Sequence, residues 1–203
     1  MTTITPMSTT NALGLFNVSS AGFTQGDALD DPAVTFALAS GVLSASATAP
    51  LWGGFPIQEL IPSASTQPGK DTMGGTVLQA TTSVAPVGIS VVNQAFGGVV
   101  TAQSPVPLYN IGNSVNFYRF GSGARIPLPI DPALVSLDGS SIVQTVYWDY
   151  TANRIIGTQP SGQAALPVKI LKITTSGNLT VSYNSGTGNA TWATNGAIAI
   201  CLI

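Results

Sequence analysis

The side chains able to do chemistry are few, and their spacing is unhelpful to chemistry. The 203 residues contain no histidine, one cysteine (Cys201) and a single glutamate (Glu59). Ser-His-Asp and Cys-His catalysis both need an imidazole base. A thiolate or imidazole metal cage needs several Cys and His ligands. The Asp27, Asp30 and Asp31 cluster lacks the spacing of a calcium loop and reads as a turn and a helix cap. Asp71-Thr-Met73 and Asp138-Gly-Ser140 fall short of an aspartic-protease triplet. A glycosidase needs two facing carboxylates, and nothing marks a partner for Glu59. Gly97-Gly98, Gly121-Ser-Gly123 and Gly186-Thr-Gly188 match no phosphate-binding pattern and read as turns. The expectation is a protein that is not an enzyme, with no catalytic residue, no metal and no cofactor.

Charge points the same way. Six Lys and Arg and eight Asp and Glu amount to 7% of the chain, against about 25% in an average soluble domain. Cations this sparse do not neutralise a phosphate backbone, so no nucleic acid is expected as partner. No basic membrane-surface patch and no run of about 20 apolar residues is present, so no membrane is expected either. The opening residues lack a basic stretch followed by an apolar one and do not read as a secretory signal. Cys201 lies in the apolar run Ala197-Ile-Ala-Ile-Cys-Leu-Ile203 and reads as a small buried hydrophobe.

The elements that must carry any site are strands. Apolar runs of four to nine residues alternate with Gly, Pro, Asn and Ser punctuation, the signature of a β-sandwich or barrel. Candidate strands are 75–81, 87–92, 99–102, 115–120, 142–150, 154–156, 168–174, 179–183, 190–193 and 197–203. Asp30-Asp-Pro32 offers a helix start, with a strand competing over Val34, Phe36 and Leu38. Asn195-Gly196 predicts a two-residue hairpin joining 190–194 to 197–203. The last run is apolar on both faces, which predicts a central strand or one covered by a partner. Residues 1–26 read as an extended N-terminal arm, and 27–203 as a single domain.

The aromatic residues suggest packing more than ligand binding. Trp148 shares a face with Val146 and Ile142, and Trp192 lies among small residues; both read as core or interface. Trp52, in Pro50-Leu-Trp-Gly-Gly-Phe-Pro56, sits in a loop and reads as an intersubunit anchor.

Several stretches carry a resemblance in their order. They are Asn11-Ala-Leu-Gly-Leu15, Gly26–Leu43, Ala49-Pro-Leu-Trp-Gly-Gly-Phe-Pro56, Ser104-Pro-Val-Pro-Leu108, Val115–Ile126, Asp131-Pro-Ala-Leu-Val135 and Trp148-Asp-Tyr150. Over residues 10–160 the chain resembles the cement, or capsid decoration, proteins of tailed bacteriophages. The resemblance implies an all-β, jelly-roll-like antiparallel sandwich with at most one or two short helices. It implies a place on the outer surface of the virion, with the major capsid protein as partner. It also implies a homo-oligomer, a dimer before a trimer. Candidate interface residues are Leu13, Leu15 and Phe16 of the arm, Trp52, Phe55, Arg119 and Arg125. The two arginines are expected to pair with Asp131 or with a capsid carboxylate. The alternative is a receptor-binding or tail-fibre-type sandwich that recognises a host glycan.

Overall fold

The computed structural model describes residues 22–29, 32–61, 75–81, 83–92, 99–101 and 104–203. The class is all-β, as the strand pattern predicts. The strands are β1 (Leu38–Leu43), β2 (Pro56–Leu60), β3 (Gly75–Gln79), β4 (Gly88–Ser90), β5 (Val99–Thr101), β6 (Ser104–Leu108) and β7 (Ser114–Arg119). They continue as β8 (Arg125–Pro129), β9 (Tyr147–Asp149), β10 (Arg154–Ile156), β11 (Lys169–Thr174), β12 (Leu179–Asn184), β13 (Asn189–Thr194) and β14 (Ile198–Leu202). Among the described residues, helix is confined to α1 (Pro32–Thr35) and a 3-10 turn at Pro132–Leu137. Both readings of the 32–39 stretch are partly realised: one helical turn starts at the proline, and the chain then extends into β1.

Strands β1, β3, β2, β4 and β7 close into a small barrel, and β14 lies between β11 and β8 in a second sheet. One barrel pairing, β1 with β3, is parallel, where the expectation is antiparallel throughout. Strand β7 shows why the two bodies adhere. Its alternation places Val115 and Phe117 in the barrel core, while Tyr118 joins the other core together with Ile126, Leu128, Trp148 and Cys201. A strand buried on both faces is the floor of one core and the roof of the other. The final strand is central in its sheet, with Ala199 and Cys201 facing the second core. That answers the question its two apolar faces pose.

Four strands escape the sequence pattern: β1, β2, β6 and β8. Prolines explain three of them, because Pro56, Pro105, Pro107, Pro127 and Pro129 demote a run that otherwise reads as a strand. Strand β8 tolerates its prolines because it is an edge. An edge needs ladder donors on one side only, and the free Pro127 carbonyl accepts the Gly26 amide at 2.9 Å.

Asn195-Gly196 does not form the expected hairpin. Strand β13 pairs with β12, whereas β14 pairs with β11 and β8. The pair instead makes a corner between sheets. Asn195 takes a φ of 59°, and its Oδ1 accepts the Gly177 amide at 3.0 Å. Gly196 is required by contact, since a Cβ there would stand 2.6 Å from the Thr180 side chain. Asn178, fully buried, holds this corner. Its Nδ2 donates to the Thr174 and Gly196 carbonyls at 2.9 and 2.8 Å, and its Oδ1 accepts the Phe23 amide at 3.0 Å.

Residues 22–29 form a strap across both bodies. Single bridges join Thr24 to Leu179, Asp27 to Val92 and Leu29 to Arg125. The last part of the expected arm is thus built into the fold, because Gln25 is buried and its Oε1 accepts the Val181 amide at 2.9 Å. The rest of the arm lies outside the described residues.

Cys201 is sealed in the second core, and burial pushes its thiol pKa up to about 12. Burial likewise raises the Tyr150 phenol to about 12. The folded state holds both protons where the unfolded chain releases them, so stability falls as pH rises. The contribution is complete below about pH 9, the ordinary thiol range, and is lost as pH climbs to about 12. We expect a thiol reagent at pH 8 to leave the native protein unlabelled and to label it once on unfolding. Cys201→Ala lowers stability at neutral pH through a small cavity but flattens the alkaline decline. Rapid labelling of the native protein would contradict this packing.

Candidate functional site

The barrel is closed at one mouth by an ion pair. On β7, Arg119 follows Val115 and Phe117 on the inward face. On β2, Glu59 is the register partner of Val77, which also faces inward. The two side chains meet in a fork: Nε donates to Oε2 at 2.7 Å and Nη2 to Oε1 at 2.6 Å. The guanidinium carbon lies 5.4 Å from the Phe117 ring centre. The hydrogen bonds to Glu59 raise the arginine pKa above its ordinary value, against a smaller opposing effect of burial. The arginine side chain is 58% exposed, so the pair is solvent-screened and worth at most about 1 kcal/mol. Its role is to neutralise the mouth.

Beside the mouth lies an open cleft of about 810 Å³, lined by residues 36–40, Gly75 and residues 119–122. Phe36, at its edge, is 95% exposed. Ile61, just past the end of β2, is 96% exposed. Such a surface offers apolar contact, backbone polar groups and hydroxyls from Ser40 and Ser122. Among its described lining residues the one cation, Arg119, is already matched by a carboxylate. Among the described residues, no group of three or more His, Cys, Asp or Glu is placed to hold a metal ion, and no helix is long and apolar enough to cross a membrane.

The candidate interface residues separate into distinct fates. Trp52 and Phe55 are core residues of this chain, 3% and 1% exposed, so they are not surface anchors as they stand. The tryptophan packs edge-on against Phe55 at 4.8 Å and tilts against Tyr183 at 5.0 Å. The loop turns inward because its glycines admit the strap. Gln25 Nε2 donates to the Gly53 carbonyl at 3.2 Å, and a Cβ at Gly54 would sit 2.8 Å from the Gln25 side chain. Buried Ser90 locks the other side, accepting the Phe55 amide at 3.0 Å and donating to the Trp52 carbonyl at 2.6 Å. Arg119 pairs with Glu59, not Asp131; Asp131 pairs with Arg154 at 2.7 Å. Arg125 is exposed and forms no ion pair among the described residues. Leu13, Leu15 and Phe16 lie outside the described residues.

Sequence reasoning missed Phe36 and the Glu59–Arg119 fork. Alternation placed Phe36 with Val34 and Leu38, which pack against the second core, whereas Phe36 lies in the turn after α1 and is exposed. The fork joins residues 60 positions apart, which no local pattern signals. The burial of Trp52 and Trp148 also removes two of the three tryptophans from any sugar-stacking platform.

No family model matches this chain, and no curated protein and no solved structure matches it.

Proposed function

We propose that this chain is a structural virion protein. It binds the outside of a tailed-phage capsid and stabilises the shell by bridging neighbouring major capsid subunits, acting as a homo-oligomer with a dimer preferred. The ordered sequence motifs suggest this reading. The observation that carries it is the barrel mouth, where the arginine is internally neutralised and Phe36 projects almost fully into solvent beside an open cleft. Large aromatic side chains left outside a core are common anchors of protein interfaces. The scarcity of charge suits close packing of many copies, since near-zero net charge favours association.

The test is reconstitution on capsid shells purified without this chain. Added protein is expected to bind in hundreds of copies and to raise the temperature at which the shells burst. Phe36→Ser is expected to weaken binding at least about tenfold, as for an interface hot spot, with an unchanged melting temperature for the free protein. Shells equally heat-stable with and without the chain would refute the reading. Few copies per particle, with inhibition of adsorption, would favour the glycan-binding alternative.

A further inference from the structure

Three cations converge on one face of the second sheet. Among the described residues, Arg119 and Arg154 are held by Glu59 and Asp131. The remaining Arg125, Lys169 and Lys172 form no ion pair there. Strand register brings them together. Arg125 and Lys169 are both partners of Leu202, from opposite sides of β14, so the three residues form one row across the sheet. Neighbouring strands lie about 4.8 Å apart, which puts the backbones of the two residues about 10 Å from each other across the leucine. Their inward neighbours Ile126, Ile170 and Cys201 belong to the second core, so the row faces outward. A bulge between Ile170 and Lys172 keeps Lys172 on that same face, opposite Ile200. Its ammonium lies 5.6 Å from the centre of the Phe23 ring, on the strap.

In a chain with six cations and a net charge of -2, three cations that form no ion pair among the described residues concentrate positive charge on one face. Like charges in one row repel, and no carboxylate among the described residues ion-pairs with them. We propose that this row docks an acidic, carboxylate-bearing ridge of a protein partner. Resting on the decoration reading, that partner is the capsid subunit. Apolar contact at the barrel mouth supplies adhesion, and the cationic row sets orientation and speeds encounter, the usual division between uncharged and charged contacts. Three cations are too few to hold duplex DNA at physiological salt. Lysines on an edge strand also discourage edge-to-edge pairing, so the test must separate docking from that role.

The experiment measures association of the full chain with shells purified without it, across a salt series. Wild type, Arg125→Gln/Lys169→Gln and Glu59→Gln/Arg119→Gln are compared, each first shown to melt as wild type does or within a few degrees. The row variant is expected to associate about tenfold more slowly at low salt. The gap should close near 1 M salt, where the Debye length is about 3 Å. The fork variant is expected to keep the wild-type salt dependence. Wild-type kinetics in the row variant would overturn the docking proposal and leave the decoration reading standing, as would unchanged binding accompanied by new self-aggregation. Row-dependent binding to a duplex DNA fragment in place of shells would overturn it in favour of nucleic acid. No binding of wild type to shells would bring down both readings.

Discussion

Replacing Asn178 with alanine is expected to lower the melting temperature by about 10 °C. The side chain is fully buried and makes three hydrogen bonds to the backbone of three separate segments. Truncation leaves the Phe23 amide and the Thr174 and Gly196 carbonyls without partners, at about 1–3 kcal/mol for each group that water does not reach. A total of roughly 3–5 kcal/mol follows, and a domain of this size shifts by about 2–4 °C per kcal/mol. Asn178→Asp separates donor from acceptor. Its ionised carboxylate still accepts from Phe23 but faces two carbonyls it cannot serve. The deficit of this variant should therefore narrow as pH falls and the carboxyl gains a proton to donate. Calorimetry at pH 7 and pH 4 reads both effects. A melting temperature within 2 °C of wild type for the alanine variant, in calorimetry, would show that the corner is held by strand pairing alone; the scale is again about 2–4 °C per kcal/mol.

Gly26→Ala is the second large effect. Gly26 has a φ of 73°, and a Cβ there would lie 2.1 Å from the Gly53 carbonyl carbon. No rotamer relieves an overlap of backbone with Cβ. The strap must lift, and with it go the bonds from Gly26 N to Pro127 O and from Val92 N to Gly26 O, both 2.9 Å. Gln25 then loses its burial and its contacts with Gly53 and Val181. The expected loss is at least about 4 kcal/mol, in the range reserved for buried networks and backbone strain, with new proteolytic cleavage within residues 22–29. Gly112→Ala is the control. Gly112 has a φ of 83°, and a Cβ there would meet nothing within 4 Å, so only backbone strain of about 1–2 kcal/mol is lost there. Equal losses at the two glycines would mean that the interlock with Gly53 has no special weight.

These two variants probe the features least visible in the chain. The amino-acid sequence by itself determined the class. Short alternating runs such as Leu179, Val181 and Tyr183 make strands wherever they fall. The apolar stretch ending at Ile203 needs cover on both faces, from neighbouring strands or from a partner. The absence of histidine and the single cysteine determined which chemistries are closed, and those statements depend on composition alone. Tertiary structure decided the neighbours. Asn195-Gly196 carries the local preference of a hairpin, yet the adjoining strands enter different sheets. Pro50–Pro56 reads as an outward loop, yet Trp52 and Phe55 turn in because Gly53 and Gly54 admit residues 25 and 26 from far upstream. Arg125 and Lys169 become one row only through Leu202. Period-two alternation specifies which face a side chain takes. It carries no information on which strand lies alongside, because that is set by packing energies between segments distant in the chain.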